Sequence, residues 1–166
     1  MKTLFRTLIL LSLIIWLGAE IFFPAVAAMT FGQLAPDTHA AGQIVGGLLR
    51  LLHWMGLACG VVLLALLALA PAWGIFRSRS VLSPMVVVLL MVGLTSYSQF
   101  GIIPAMERDR QAAGGVIDAV PQSNPTRIHF NSLHGRSTKV EGTVVLLGIA
   151  LVTLIAAAET AVQKPI

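Results

Sequence analysis

Apolar residues fall into four long runs separated by short polar stretches: Leu8–Met29, Leu51–Trp73, Val81–Ile103 and Val140–Ala158. Each supplies about the 20 mostly apolar residues that a helix needs to cross a bilayer. The expected fold class is therefore all-α, an integral membrane four-helix bundle forming a single transmembrane domain over residues 1–166. The short link Gly74–Ser80 makes the second and third helices antiparallel neighbours. The link Pro104–Lys139 is long, and its "AAGGVIDAVPQSNPTR" reads as irregular loop. Thr126–Arg136 is expected to form a short interfacial helix between helices three and four. Asp37, placed after Pro36, can cap a helix that starts there and runs into the second span.

The first run has two readings. Ala25 and Ala27 form an A-x-A site that, with Lys2, Arg6 and Leu8–Leu17, has the parts of a secretory signal. Against cleavage stand Glu20 and "FFP", which occupy the usual short neutral region, and the apolar character that continues through Met29 and Phe31. The expectation is a retained helix carrying a carboxylate inside the hydrocarbon.

Successive helices alternate in direction, so depths can be compared without knowing the orientation. Glu20 lies late in span one, Arg50 and His53 open span two, Ser96, Tyr97 and Gln99 lie late in span three, and Glu141 opens span four. All belong to one face, the one bearing the long loop with His129 and His134. "LILLSLII", "VVLLALLALA", "PMVVVLL" and "LVTLIAAA" build the other half. The pattern predicts a dry plug at one side and a polar half-pocket at the other. A carboxylate in lipid turns inward and pairs, so Glu20 is expected to meet Arg50 or His53. Trp16, Glu20, Phe23 and Ala27 share one helix face. "GLACG", Gly56 to Gly60, has the G-x-x-x-G spacing that lets helix backbones approach, here within the monomer. Pro24 is expected to kink span one past Glu20. Trp54, Trp73 and Phe130 read as interfacial anchors.

Composition agrees with a membrane setting. Hydrophobic residues make up 57% of the chain and charged residues 11%, against about a quarter charged in soluble domains. A lone cysteine, Cys59, excludes an intrachain disulfide and a cysteine-based zinc site. The net charge of +4 comes from basic residues beside the apolar runs, which membrane topology explains without nucleic acid. Both termini are assigned to the cytoplasm because Arg77 and Arg79 stand in the short link. That places Lys2, Arg6 and Lys164 inside, with Arg50, Arg108, Arg110, Arg127, Arg136 and Lys139 outside.

"WLGAEIFF", "AGQIVGGLLRLLHWMGLACGVVLL", "FNSLHGRS" and "EGTVVLLGIAL" resemble, in this order, the bacterial domain of unknown function 4149, relatives of the eukaryotic transmembrane protein 205. Leu133, His134 and Ser137 match its "LHxxS" element, whereas Glu141 stands where the family tends to show asparagine. The resemblance implies a four-helix protein of the bacterial cytoplasmic (inner) membrane with no established activity. No Walker loop, nucleophile elbow or zinc helix is present, so no enzyme, catalytic residue or cofactor is expected. The first functional reading is a polar cluster of Glu20, Arg50, His53, Tyr97, Gln99, His134 and Glu141 that binds a small ligand, a lipid or a partner. Expected partners are the lipid bilayer and a membrane protein or second copy. One alternative is a membrane redox protein holding haem b or a metal through His53 and His134. The other is a small oligomeric transporter or proton-coupled carrier using Glu20.

Overall fold

The structure, a computed structural model, describes residues 2–163. Five α-helices occur: α1 Lys2–Gln33, α2 Thr38–Leu69, α3 Leu82–Tyr97, α4 Ile103–Ala112 and α5 Pro125–Gln163. A 3₁₀ turn, Ser78–Val81, leads into α3, and a π turn, Ser98–Ile102, joins α3 to α4. Residues Ser78–Ala112 thus form one rod, and the described residues contain four helical rods long and apolar enough to cross a membrane. The described residues contain no strand. A 32-residue rod is roughly 48 Å long at ~1.5 Å per residue, so its ends project beyond a hydrocarbon core of ~30 Å.

Local chemistry sets the helix ends. Asp37 caps α2, its carboxylate accepting from the Ala40 N–H at 2.9 Å, and the helix enters the second span without a break. This second helix stops at Leu69, before the Trp73 boundary that the apolar run suggested. Ala70–Gly74 form a turn instead, in which Pro71 lacks an N–H and Gly74 adopts a φ of 60°. The link then folds inward, burying Ile75 and Phe76.

The long link is also shorter than its composition implied. Helix α4 continues to Ala112 and ends where Gly114 and Gly115 take φ of 77° and 94°. Asn124 then accepts from the Thr126 N–H at 2.9 Å, with Pro125 in the first turn of α5. The separate interfacial helix Thr126–Arg136 does not exist; those residues are the first turns of α5. Nothing between Arg136 and Val140 interrupts the ladder, and a glycine inside a helix costs about 1 kcal/mol, less than a break that strands several backbone groups.

Packing produces the expected asymmetry. The apolar cluster joins Phe5, Ile9, Leu13 and Trp16 of α1 to Leu63 and Leu67 of α2, Val88 and Met91 of α3, and Leu151 and Ile155 of α5. It occupies the half of the bundle that holds the start of α1, the end of α5 and the link between α2 and α3. Lys2 Nζ donates to the Gly74 carbonyl at 3.2 Å, which ties the start of α1 to that link. Around the bundle the helices follow the order α1, α2, α3, α5, and the seam between α5 and α1 is the least filled. Helix α1 runs through Pro24, whose missing N–H leaves the Glu20 carbonyl without its intrahelical donor.

Candidate functional site

His53 is wholly buried on α2 and uses both ring nitrogens. Nδ1 lies 3.0 Å from Gln99 Oε1, and Nε2 lies 2.9 Å from Glu141 Oε1. Ser98 Oγ donates to the same Glu141 oxygen at 2.9 Å. Both contacts are satisfied by a neutral imidazole that donates from Nε2 to the Glu141 carboxylate and accepts at Nδ1 from the Gln99 amide in its turned orientation, or by an imidazolium that donates from both nitrogens.

Three elements deliver these groups. Helix α2 supplies His53, α5 supplies Glu141, and the π turn supplies Ser98 and Gln99, with the Ile103 N–H reaching back to the Ser98 carbonyl. That wider turn leaves Ser98, Gln99 and Ile102 buried together, the kind of local irregularity that recurs at functional sites. On α5, Leu133, Ser137 and Val144 are buried at spacings of four and three around Glu141, so the carboxylate lies on the inward stripe.

A second carboxylate completes the site. Glu20 is 2% exposed and accepts from the Trp16 indole N–H at 3.2 Å. It lies within electrostatic reach of both Glu141 and His53. Trp16 in turn rests on Gly56 and Gly60: a Cβ at Gly56 would stand 2.8 Å from Trp16 Cε2, and one at Gly60 3.1 Å from Cζ3. The G-x-x-x-G spacing thus admits an indole, and the indole holds Glu20.

Two buried polar atoms of this half, Glu141 Oε2 and Thr95 Oγ1, have no hydrogen-bond partner among the described residues. Thr95 is fully buried one turn before Ser98 and Gln99. Buried polar atoms are paired in the great majority of cases.

The sequence-derived cluster is brought together only in part. His53, Gln99 and Glu141 join directly, with Glu20 beside them. The expected pairing of Glu20 with Arg50 or His53 does not form: Glu20 bonds Trp16, and His53 bonds Glu141. Arg50 keeps about half its side chain exposed at the aqueous end of the bundle, 4.0 Å from Glu107, where its charge stays hydrated. Glu107 itself is bound by Arg110 at 2.7 Å. Tyr97 is 50% exposed and His134 is exposed, so neither enters the network. His129 pairs with Asp109 at 2.8 Å on the loop side. Ser98, Thr95 and the Trp16 indole complete the site without having been read as members of it. Burial at Met91, Thr95, Ser98 and Ile102 follows helical spacing, a signal that favours Ser98 over Ser96 and Tyr97.

His53 and His134 do not make a ligand pair, since one has both nitrogens engaged in the interior and the other lies exposed. Among the described residues no group of three or more His, Cys, Asp or Glu is arranged to hold a metal ion. Lys164, assigned to the cytoplasmic side, lies outside the described residues.

The model of a family described as Domain of unknown function (DUF4149) matches residues 11–114. That range includes α2, the π turn and most of α1, and therefore Glu20, His53, Ser98 and Gln99. No curated protein and no solved structure matches the chain.

Proposed function

The chain belongs to the family described as Domain of unknown function (DUF4149), and for this member we propose a non-enzymatic protein of the bacterial cytoplasmic membrane that binds a small, donor-bearing cation in its polar half. The unpartnered Glu141 Oε2 carries this reading. Its sister oxygen already accepts from Ser98 and faces His53, so the free lone pairs suit one more N–H or O–H. Two carboxylates flank a single imidazole, which favours a cation over an anion. Glu141 retains 14% side-chain exposure while His53 has none, so Glu141 is the more accessible member of the pair.

Trp16 reports on the site because its N–H is bound to Glu20. With Trp54 and Trp73 changed to phenylalanine, n-butylammonium should change Trp16 emission saturably, whereas tetramethylammonium, which lacks an N–H, should not. Glu141→Gln should abolish the response. A response that persists in that variant, or that never saturates, rejects the reading.

Proton-coupled carriage is the second reading, favoured by the direct contact of two titratable side chains, His53 and Glu141, inside the bundle. Proteoliposomes of parent and Glu20→Gln with equal proton flux remove it.

A further inference from the structure

At the opposite, dry end a groove opens between α1 and α5, along the least filled seam of the bundle. Leu10, Ile14, Leu17 and Gly18 form one wall, with Val152 and Ala156 forming the other. A Cβ at Gly18 would meet nothing within 4 Å, so the groove has free depth there. At its end stands Glu159, half-buried, while Arg6 lies one helical turn before Leu10 on the same face of α1. Arg6 Nε is buried without a hydrogen-bond partner, and neither Arg6 nor Glu159 belongs to an ion pair among the described residues.

We infer that this groove is a site for one zwitterionic aminophospholipid, its acyl chain along the α1–α5 seam, its phosphate at Arg6 and its ammonium at Glu159. The charge pattern selects this occupant. An anion without an ion-pair partner among the described residues stands at the end of an apolar channel, and a cation likewise without one lies one helical turn beyond the channel's wall; a phosphoethanolamine headgroup presents the matching cation and anion above its chains. Arginine suits phosphate because its planar fork donates to two oxygens. The surrounding helix faces are apolar and membrane-spanning, so lipid is the medium that the groove meets. The site lies in the other half of the bundle from His53 and does not depend on the cation reading.

Native mass spectrometry of the full chain in detergent tests it with phosphatidylethanolamine, phosphatidylcholine and phosphatidylglycerol at equal mole fraction. The parent should retain one phosphatidylethanolamine in preference to phosphatidylglycerol, by about two- to fivefold, the range of a single exposed ion pair. Glu159→Gln should erase that preference, while Arg6→Gln and Gly18→Leu should weaken retention of all three lipids. Circular dichroism checks helicity; should Gly18→Leu fail to fold, Glu159→Gln, a change near the helix end, decides alone. Equal retention of phosphatidylglycerol by the parent, or an unchanged preference in Glu159→Gln, overturns the site. A lipid-free dimer that Gly18→Leu dissolves would instead assign the groove to a second copy and overturn it equally.

Discussion

At the scale of single residues, the cost of stranding a buried polar group decides what a substitution at His53 does. Its partners sit on other helices, so His53→Gln leaves Glu141 without its strongest neighbour, and Glu141→Gln leaves Nε2 facing an amide. Polar contacts between membrane helices reach about 1–2 kcal/mol, and neighbours in one network couple rather than add. A double-mutant cycle on His53 and Glu141, read by thermal unfolding in detergent, should give a coupling of about 1–2 kcal/mol. The corresponding cycle on Glu20 and Arg50 should be additive within about 0.5 kcal/mol, because they share no contact. Strict additivity at His53 and Glu141 would remove the network. Depth was legible here: Glu20, His53, Gln99 and Glu141 could be assigned to one layer from the direction of each helix. Azimuth was not, because rotation about the helix axis is set by neighbours, and so Arg50 was drawn inward while Ser98 was passed over.

At the scale of helices, small residues matter through what occupies the space they leave. Gly56 gives that space to the rigid Trp16 ring, whereas Gly46, ten residues earlier on α2, has nothing within 4 Å of an added Cβ. Gly56→Ala should therefore push α1 from α2 and destabilise the fold by about 1–3 kcal/mol, the usual range for overpacking. Gly46→Ala should be neutral or stabilising by up to about 1 kcal/mol, since it removes a helix glycine at no steric cost. Thermal melts of the two variants check the contrast; equal effects would mean that Trp16 does not seat on α2 as described. The G-x-x-x-G spacing made close approach legible, but its occupant was not, since a spacing names the hole and not the knob. The π turn left no mark either: the burial rhythm Met91, Thr95, Ser98, Ile102 also fits an ordinary helix, and the extra width comes from what the turn must reach. Polar composition alone does not end a helix: between Thr126 and Val140 there is no proline, and the single Gly135 is tolerated, so Thr126–Arg136 continues into α5.

For the whole molecule, the two ends differ in chemistry, and orientation decides which leaflet meets which. Arg77 and Arg79 are exposed in the link between α2 and the α3 rod, beside the start of α1, which brings Lys2 to Gly74. Cations in a short link near span ends hold that link on the cytoplasmic side. The opposite end carries six cations, Arg50, Arg108, Arg110, Arg127, Arg136 and Lys139, but all of them lie on the helices and none on the link between α4 and α5. Arg110 and Arg127 are there engaged by Glu107 and Asp118. Orientation follows cation placement and not net charge, so these ion pairs do not themselves decide it. From the shortness of the Arg77–Arg79 link we propose that this end lies inside. Placing that link inside directs Glu141 and the His53 network toward the outer side, and the Arg6–Glu159 groove toward the inner leaflet. Cys59, the chain's one cysteine, is buried and can be replaced by alanine, after which single cysteines are introduced at Ser78 and Gln122, both exposed. In intact spheroplasts an impermeant maleimide should label Gln122→Cys, and Ser78→Cys only after lysis. The reverse pattern would invert the topology, giving the polar site to the cytoplasm and the groove to the outer leaflet.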